Sequence, residues 1–219
     1  MTPGDADRGV PFFLSYAHAA DALHPSGPAH EPNKLVHQFF GDLTETVAQL
    51  IPLEVGAAPG FMDRSMGGGE RWTEELLRAV GTCQVFVALL SPSYPRSPWC
   101  AMEWHAFSQR RVEKHEGGDP VTQACIIPVI WIPVPVETLP EVIRDVQLFY
   151  PEGKPNSDVG TDYGREGVFG LLWMNWTDSY QEVVWRLARR IAAIYYSHTV
   201  EPCRFELGQL RNVFLEGSD

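Results

Sequence analysis

At 219 residues, with 44% apolar and 21% charged side chains, the chain has the composition of one globular core, with room for embellishment but not for two full domains. A formal net charge of −11 speaks against nucleic acid or an anionic membrane surface as the main partner, because phosphate binding needs a basic face. No stretch approaches the roughly 20 apolar residues of a membrane span.

The opening MTPGDADRGV is acidic and polar where a secretory signal is basic and then apolar, so residues 1–9 read as a disordered leader on a cytoplasmic protein. Residues 10–16, VPFFLSY, form an apolar strand ending in the small polar groups of Ser15 and Tyr16. Residues 22–32, ALHPSGPAHEP, carry three prolines and read as a loop. From 33 to 51, Leu35, Phe39, Leu43 and Val47 recur every four residues, which predicts an amphipathic helix that Pro52 stops. Residues 53–55 are a weak second strand. Trp72, Leu76, Ala79 and Val80 then have helical spacing, with Glu70, Glu74 and Glu75 near the helix start. Ahead of them, Gly67, Gly68 and Gly69 either bring backbone amides to an anion or form a flexible turn.

The stretch from Thr82 to Arg111 organises the rest. Residues 85–90 are a continuous apolar run suited to a strand covered on both faces. Ser91 and Pro92 break it, and a helix opens at Ser97 as N-cap with Pro98 in its first turn. At about 100° per residue, Cys100, Trp104 and Phe107 fall on one side as a core face. Trp99, Glu103, Ala106 and Arg110 fall together roughly a quarter turn away. Trp99 and Glu103 sit at the border, a carboxylate beside an aromatic ring at the mouth of a cleft. A lone Glu on such a helix is ordinarily a solvated surface residue. Both readings stand at this point.

Residues 113–120 are a charged loop, and 124–132 a buried strand in which Pro128 implies an edge or a bulge. Residues 134–146 hold at most a short helix, 146–150 suit a final strand, and 151–167 read as a loop, either disordered or a lid. Residues 178–196 close the domain as a helix capped by Thr177 or Asp178, with Val183, Val184, Leu187, Ile191 and Ile194 facing inward. The residues from 201 suit one or two helical turns. The four cysteines show no C-x-x-C pair and the seven histidines no H-x-x-x-H, so buried thiols are expected and no metal site.

Strands alternating with helices predict a flavodoxin-like, doubly wound parallel sheet of about five strands with helices on both faces. In that order ligands bind beyond the carboxyl ends of the first and third strands. The predicted pocket is lined by Ser15, Tyr16, Asp63, Trp99 and Glu103.

The run LLSPSYPRSPWCAMEW resembles the Toll/interleukin-1 receptor (TIR) domain family, including its W-x-x-x-E spacing at Trp99 and Glu103. Phe13-Leu14-Ser15-Tyr16 resembles the family's first signature box, with Asp21 where an acid is frequent. GFMDRSMGGGERW resembles its second box, the BB loop, with Phe61-Met62-Asp63 as F-x-D. The FFLSYA opening, GFMDRS and IPVIW are most similar to the actinobacterial FxsC-type group. The resemblance covers most of residues 10–196 and divides the chain into a leader (1–9), a TIR-like domain (10–198, with an insertion at 19–32 and the 151–167 loop) and a C-terminal tail (199–219). It implies cleavage of the nicotinamide–ribosyl bond of NAD, to ADP-ribose or a cyclic isomer, in stress or antiphage signalling. Glu103 is then the catalytic residue, and Trp99, Ser15, Tyr16, Asp63 and Ser65 bind NAD, which is substrate and not a resident cofactor. It also implies homotypic self-association. A non-catalytic interaction module and a nucleoside-transferring enzyme with Glu103 as nucleophile remain open beside it.

Overall fold

The computed structural model describes residues 9–18, 33–63, 74–115, 122–151 and 158–215. A parallel sheet forms its centre, built from β1 (Phe12–Tyr16), β2 (Gly60–Met62), β3 (Val85–Leu90) and β5 (Ile126–Ile130) in the order β2-β1-β3-β5. Every residue of β1 and β3 is buried, as befits strands covered on both faces. The register sets Ser15 beside Ala88 and Tyr16 beside Leu89, so the polar end of β1 lies at the same sheet edge as the end of β3.

The helices are α1 (Lys34–Leu50), α2 (Glu74–Thr82), α3 (Pro98–Ser108), α4 (Glu141–Arg144), α5 (Val159–Trp173) and α6 (Thr177–Ser197). They lie on both sides of the sheet, with α1 and α5 packed on α6 and α2 on α3. The predicted inner faces are the buried ones: Phe39, Leu43 and Val47 on α1, and Val183, Val184, Leu187, Ile191 and Ile194 on α6. Neither proposed cap of α6 is used. Helix α6 begins at Thr177 with Trp176 as N-cap and no side-chain cap bond.

Four departures from the sequence reading have physical causes. The second strand lies at 60–62 and not 53–55. Val55 is fully exposed and Ala57 N–H bonds Glu54 O in a turn, while Gly60 brings β2 against the ring of Phe12. The sheet has four described strands, with no strand at 146–150. Phe149 N–H bonds Pro128 O on the outer side of β5, so the missing N–H of Pro128 falls on that same outer side. The next outward N–H, of Ile130, is taken by the Tyr163 hydroxyl (2.7 Å). A proline and a side chain thus close the edge that a fifth strand would need.

Third, residues 159–167, expected as loop or lid, belong to α5. Its glycines serve close packing: Gly160 and Gly164 lie against the ring of Tyr150, and Gly167, at φ 65°, passes the backbone of Trp131. A Cβ at Gly167 would sit 2.5 Å from Trp131 O. Gly167→Ala is therefore expected to destabilise the fold by about 2–3 kcal/mol, read as a lower urea midpoint with an unchanged slope. Fourth, β4 (Val112–Lys114) pairs antiparallel with β6 (His198–Val200), where a loop and the start of the tail were expected. Beyond β6 the segment makes one 3₁₀ turn, Leu207–Gln209, in place of α-helical turns, and returns to bury Phe214.

Candidate functional site

Helix α3 is built as its sequence indicates. The Ser97 hydroxyl accepts from Cys100 N–H (3.3 Å), Pro98 occupies the first turn, and Cys100, Trp104 and Phe107 are buried. The neighbouring stripe divides. Trp99, in the first turn, keeps 38% of its surface exposed, whereas Glu103, one turn on, is only 6% exposed. A solvated surface role for Glu103 does not survive. Arg110 leaves the stripe as well, because α3 ends at Ser108 and its guanidinium turns into the protein.

Glu103 meets the end of β1. Ser15 Oγ donates to Glu103 Oε2 at 2.5 Å, and Ser15 Oγ also lies 2.9 Å from the Tyr94 hydroxyl. Ser15 and Tyr94 are both fully buried. Tyr94 stands on a 3₁₀ turn, Tyr94–Arg96, between β3 and α3. Burial pushes the Glu103 carboxyl up to about 8, with the Ser15 bond opposing and the charge of Asp63 adding to the rise. Cys100 is raised by its own burial and then by Glu103. Beside this cluster, Tyr16 O–H donates to Asp63 O (2.9 Å), and His18 stacks on the Tyr16 ring at 4.5 Å.

Of the sequence candidates, the fold joins Ser15 to Glu103 directly and Tyr16 to Asp63, places Asp63 close enough to act on Glu103 electrostatically, and leaves Trp99 on the rim. Ser65, Asp21, Trp72 and the glycines at 67–69 lie outside the described residues, as do the insertion at 19–32 and most of the BB-loop segment. Sequence reasoning missed Tyr94, although it lies in the quoted SPSYP run. A buried tyrosine there is a residue whose hydroxyl must find a partner. A separate depression is lined by Pro92, Arg96, Val134, Leu139, Arg144 and Phe214, and by none of Ser15, Tyr94 and Glu103. Among the described residues no group of three His, Cys, Asp or Glu gathers to hold a metal, and the four cysteines are free thiols. No described helix is long and apolar enough to cross a membrane.

The arrangement is that of a doubly wound α/β domain holding a desolvated carboxyl at the carboxyl ends of its first and third strands, where such folds take ligands. The TIR domain family model matches residues 42–155. The chain belongs to the TIR domain family. It is also 31% identical over 148 residues to a probable 2′ cyclic ADP-D-ribose synthase, BdTIR, of Brachypodium distachyon, an alignment covering 66% of this chain and 61% of that protein.

Proposed function

We propose that the protein cleaves the nicotinamide–ribosyl bond of NAD, with Glu103 as the catalytic carboxylate. The observation that carries this reading is the buried Glu103, bonded by Ser15 at the sheet edge where a flavodoxin-like fold binds ligands. Membership of the TIR family and the likeness to a cyclic ADP-ribose synthase support it.

Nicotinamide in NAD is a cationic leaving group and needs no general acid. As the C1′–N bond breaks, its electron pair goes to the pyridine nitrogen, and positive charge develops on the ribose. A carboxylate in a low-dielectric setting stabilises that charge and holds the ribose hydroxyls. Attack by water on C1′, with loss of its proton, gives ADP-ribose; attack by a hydroxyl of the same molecule gives a cyclic isomer. Ser15 keeps Glu103 oriented, Tyr16 and Asp63 border the nucleotide, and Trp99 offers an aromatic face on the rim. NAD is the substrate, and no resident cofactor is invoked.

A carboxyl held near 8 must lose its proton before it acts. In the ligand-free protein roughly a tenth is ionised at pH 7, so kcat/KM is expected to rise about tenfold per pH unit below its limb near 8 and level above it. The cationic substrate favours the carboxylate, which places the limb of kcat below that of kcat/KM. Steady-state rates from pH 5.5 to 9.5 check this; a flat profile contradicts an ionising Glu103.

We place the reaction in the cytoplasm, in a self-associating protein that generates a stress or antiphage signal. That setting, like the finer affinity to the FxsC-type group, rests on the sequence resemblance. Glu103 is so little exposed that its bond to Ser15 also suits a purely structural part, which favours the non-catalytic interaction module as the second reading. The Glu103→Gln variant separates the two.

A further inference from the structure

We propose that Tyr94 is a positioning residue for Glu103, acting through Ser15, and that Phe214 of the C-terminal segment holds Tyr94 in place. The inference rests on the reading of Glu103 as the group that acts on substrate. Ser15 has one O–H, and an ionised Glu103 can only accept, so Ser15 gives its proton to Oε2 (2.5 Å). The 2.9 Å contact to Tyr94 then has one direction, Tyr94 O–H donating to Ser15 Oγ.

Among the described residues Ser15 is the only hydrogen-bond partner of the Tyr94 hydroxyl. A phenylalanine would fill the same space without burying a polar group. The hydroxyl therefore serves the chain Tyr94–Ser15–Glu103, in which each donor strengthens the next and the charged end gains most. The titratable groups around Glu103 are Asp63 at the end of β2, Cys100 on its own helix and Tyr94 itself. Of these Tyr94 and Cys100 both hydrogen-bond the Ser15 hydroxyl, and the phenol is the stronger donor of the two.

Phe214 reaches the same ring from outside the α/β core. It is 5% exposed, its ring centroid 5.8 Å from that of Tyr94 and 6.2 Å from that of Trp104, the residue after Glu103. Arg211 N–H bonds His105 Nδ1 (3.3 Å) and fixes the segment along α3. Tail residues and site residues thus share one packed contact, and loosening the former disturbs the donor of the latter.

The test is a pH titration of the Glu103 carboxyl by carbon-13 NMR in the 219-residue chain, with melting temperature and NAD cleavage recorded on the same samples. Tyr94→Phe is expected to raise the midpoint by about half a pH unit, leaving roughly threefold less carboxylate on the acid side, and to shift the acid limb of NAD cleavage equally. Phe214→Ala is expected to move both in the same direction by less, and Phe214→Leu to restore them. Site-specific 3-fluorotyrosine at position 94, a stronger donor of nearly the same size, is expected to lower the midpoint, which keeps the test open should Tyr94→Phe fail to fold. An unmoved midpoint in folded Tyr94→Phe, or with fluorotyrosine, overturns the role of Tyr94; an unmoved midpoint in Phe214→Ala overturns that of the tail. Midpoints that move while the wild type releases no nicotinamide uphold the relay and contradict NAD cleavage instead.

Discussion

Glu103→Gln lowers the rate of nicotinamide release from NAD by at least about 10³-fold while leaving the protein folded. A neutral amide of the same shape still accepts from Ser15 but offers no charge to the developing ribosyl cation, and loss of one well-placed electrostatic group in a desolvated site is worth about that much. The variant carries a second signature in stability. The native protein keeps the Glu103 proton up to about pH 8, whereas the unfolded chain releases it near the ordinary value of 4.5. Between those limits the native state binds more protons, so wild-type stability falls as pH rises from about 4.5 to 8 and levels off above. Glutamine has no proton to lose. Glu103→Gln is therefore at least as stable as wild type at pH 8, with the advantage shrinking toward pH 5. Calorimetric melting at both pH values checks the sign, and a variant less stable at pH 8 contradicts a destabilising buried carboxylate.

Arg110→Met destabilises the protein by about 3–5 kcal/mol, enough to lower Tm by roughly 6–20 °C. The guanidinium of Arg110 is 2% exposed and donates to four carbonyl oxygens: Val80 (3.0 Å), Cys83 (2.6 Å), Val200 (3.2 Å) and Glu201 (3.0 Å). Its plane also stands over the Phe107 ring at 5.2 Å. These carbonyls belong to residues 80–83, at the end of α2 and the approach to β3, and to residues 200–201 at the end of β6, so from its place just past α3 one side chain joins three segments far apart in sequence. Burial lowers its pKa from the usual value, and the neighbouring Cys83 opposes that. Methionine fills much of the stem volume and removes the guanidinium donors from all four carbonyls, leaving Val200 O with Gln84 Nε2 at 3.5 Å and Val80 O with the Cys83 thiol at 3.6 Å. Arg110→Lys, with a single ammonium, is expected to fall between wild type and Arg110→Met. Urea unfolding of the three proteins measures the order.

The site was legible in the sequence where local rules and motif spacing agreed. Ser97-Pro98 set the start of α3, and its apolar period set the core face; the strand ends brought Ser15 and Glu103 to one edge. The burial of Glu103 was not legible, because a helical wheel gives a direction and no depth. The depth comes from Ser15 and Tyr94, 88 and nine residues away in the chain. Arg110 escaped for a similar reason: a wheel continued two residues past the true helix end put a buried guanidinium on the border.

Elsewhere, composition misled in ways that packing explains. Helix α5 has the glycine content of a loop, yet Gly160, Gly164 and Gly167 are small because Tyr150 and Trp131 lie against them. Residues 146–150 have the pattern of a strand and form none, since Pro128 and the Tyr163 hydroxyl occupy the edge on which it would pair. The β4–β6 ribbon joins segments of three residues each, too short for periodicity to reveal, and depends on pairing across 84 to 88 positions.

NAD cleavage is decided by a proton NMR time course of NAD with concentrated wild-type protein at pH 8.5, where Glu103 is mostly ionised. Free nicotinamide signals are expected to grow as the nicotinamide-linked ribose signals of NAD fade, with the ribose products showing whether water or an internal hydroxyl attacked. A folded, concentrated sample that leaves NAD intact contradicts it, and assigns Glu103 to the structure of an interaction domain.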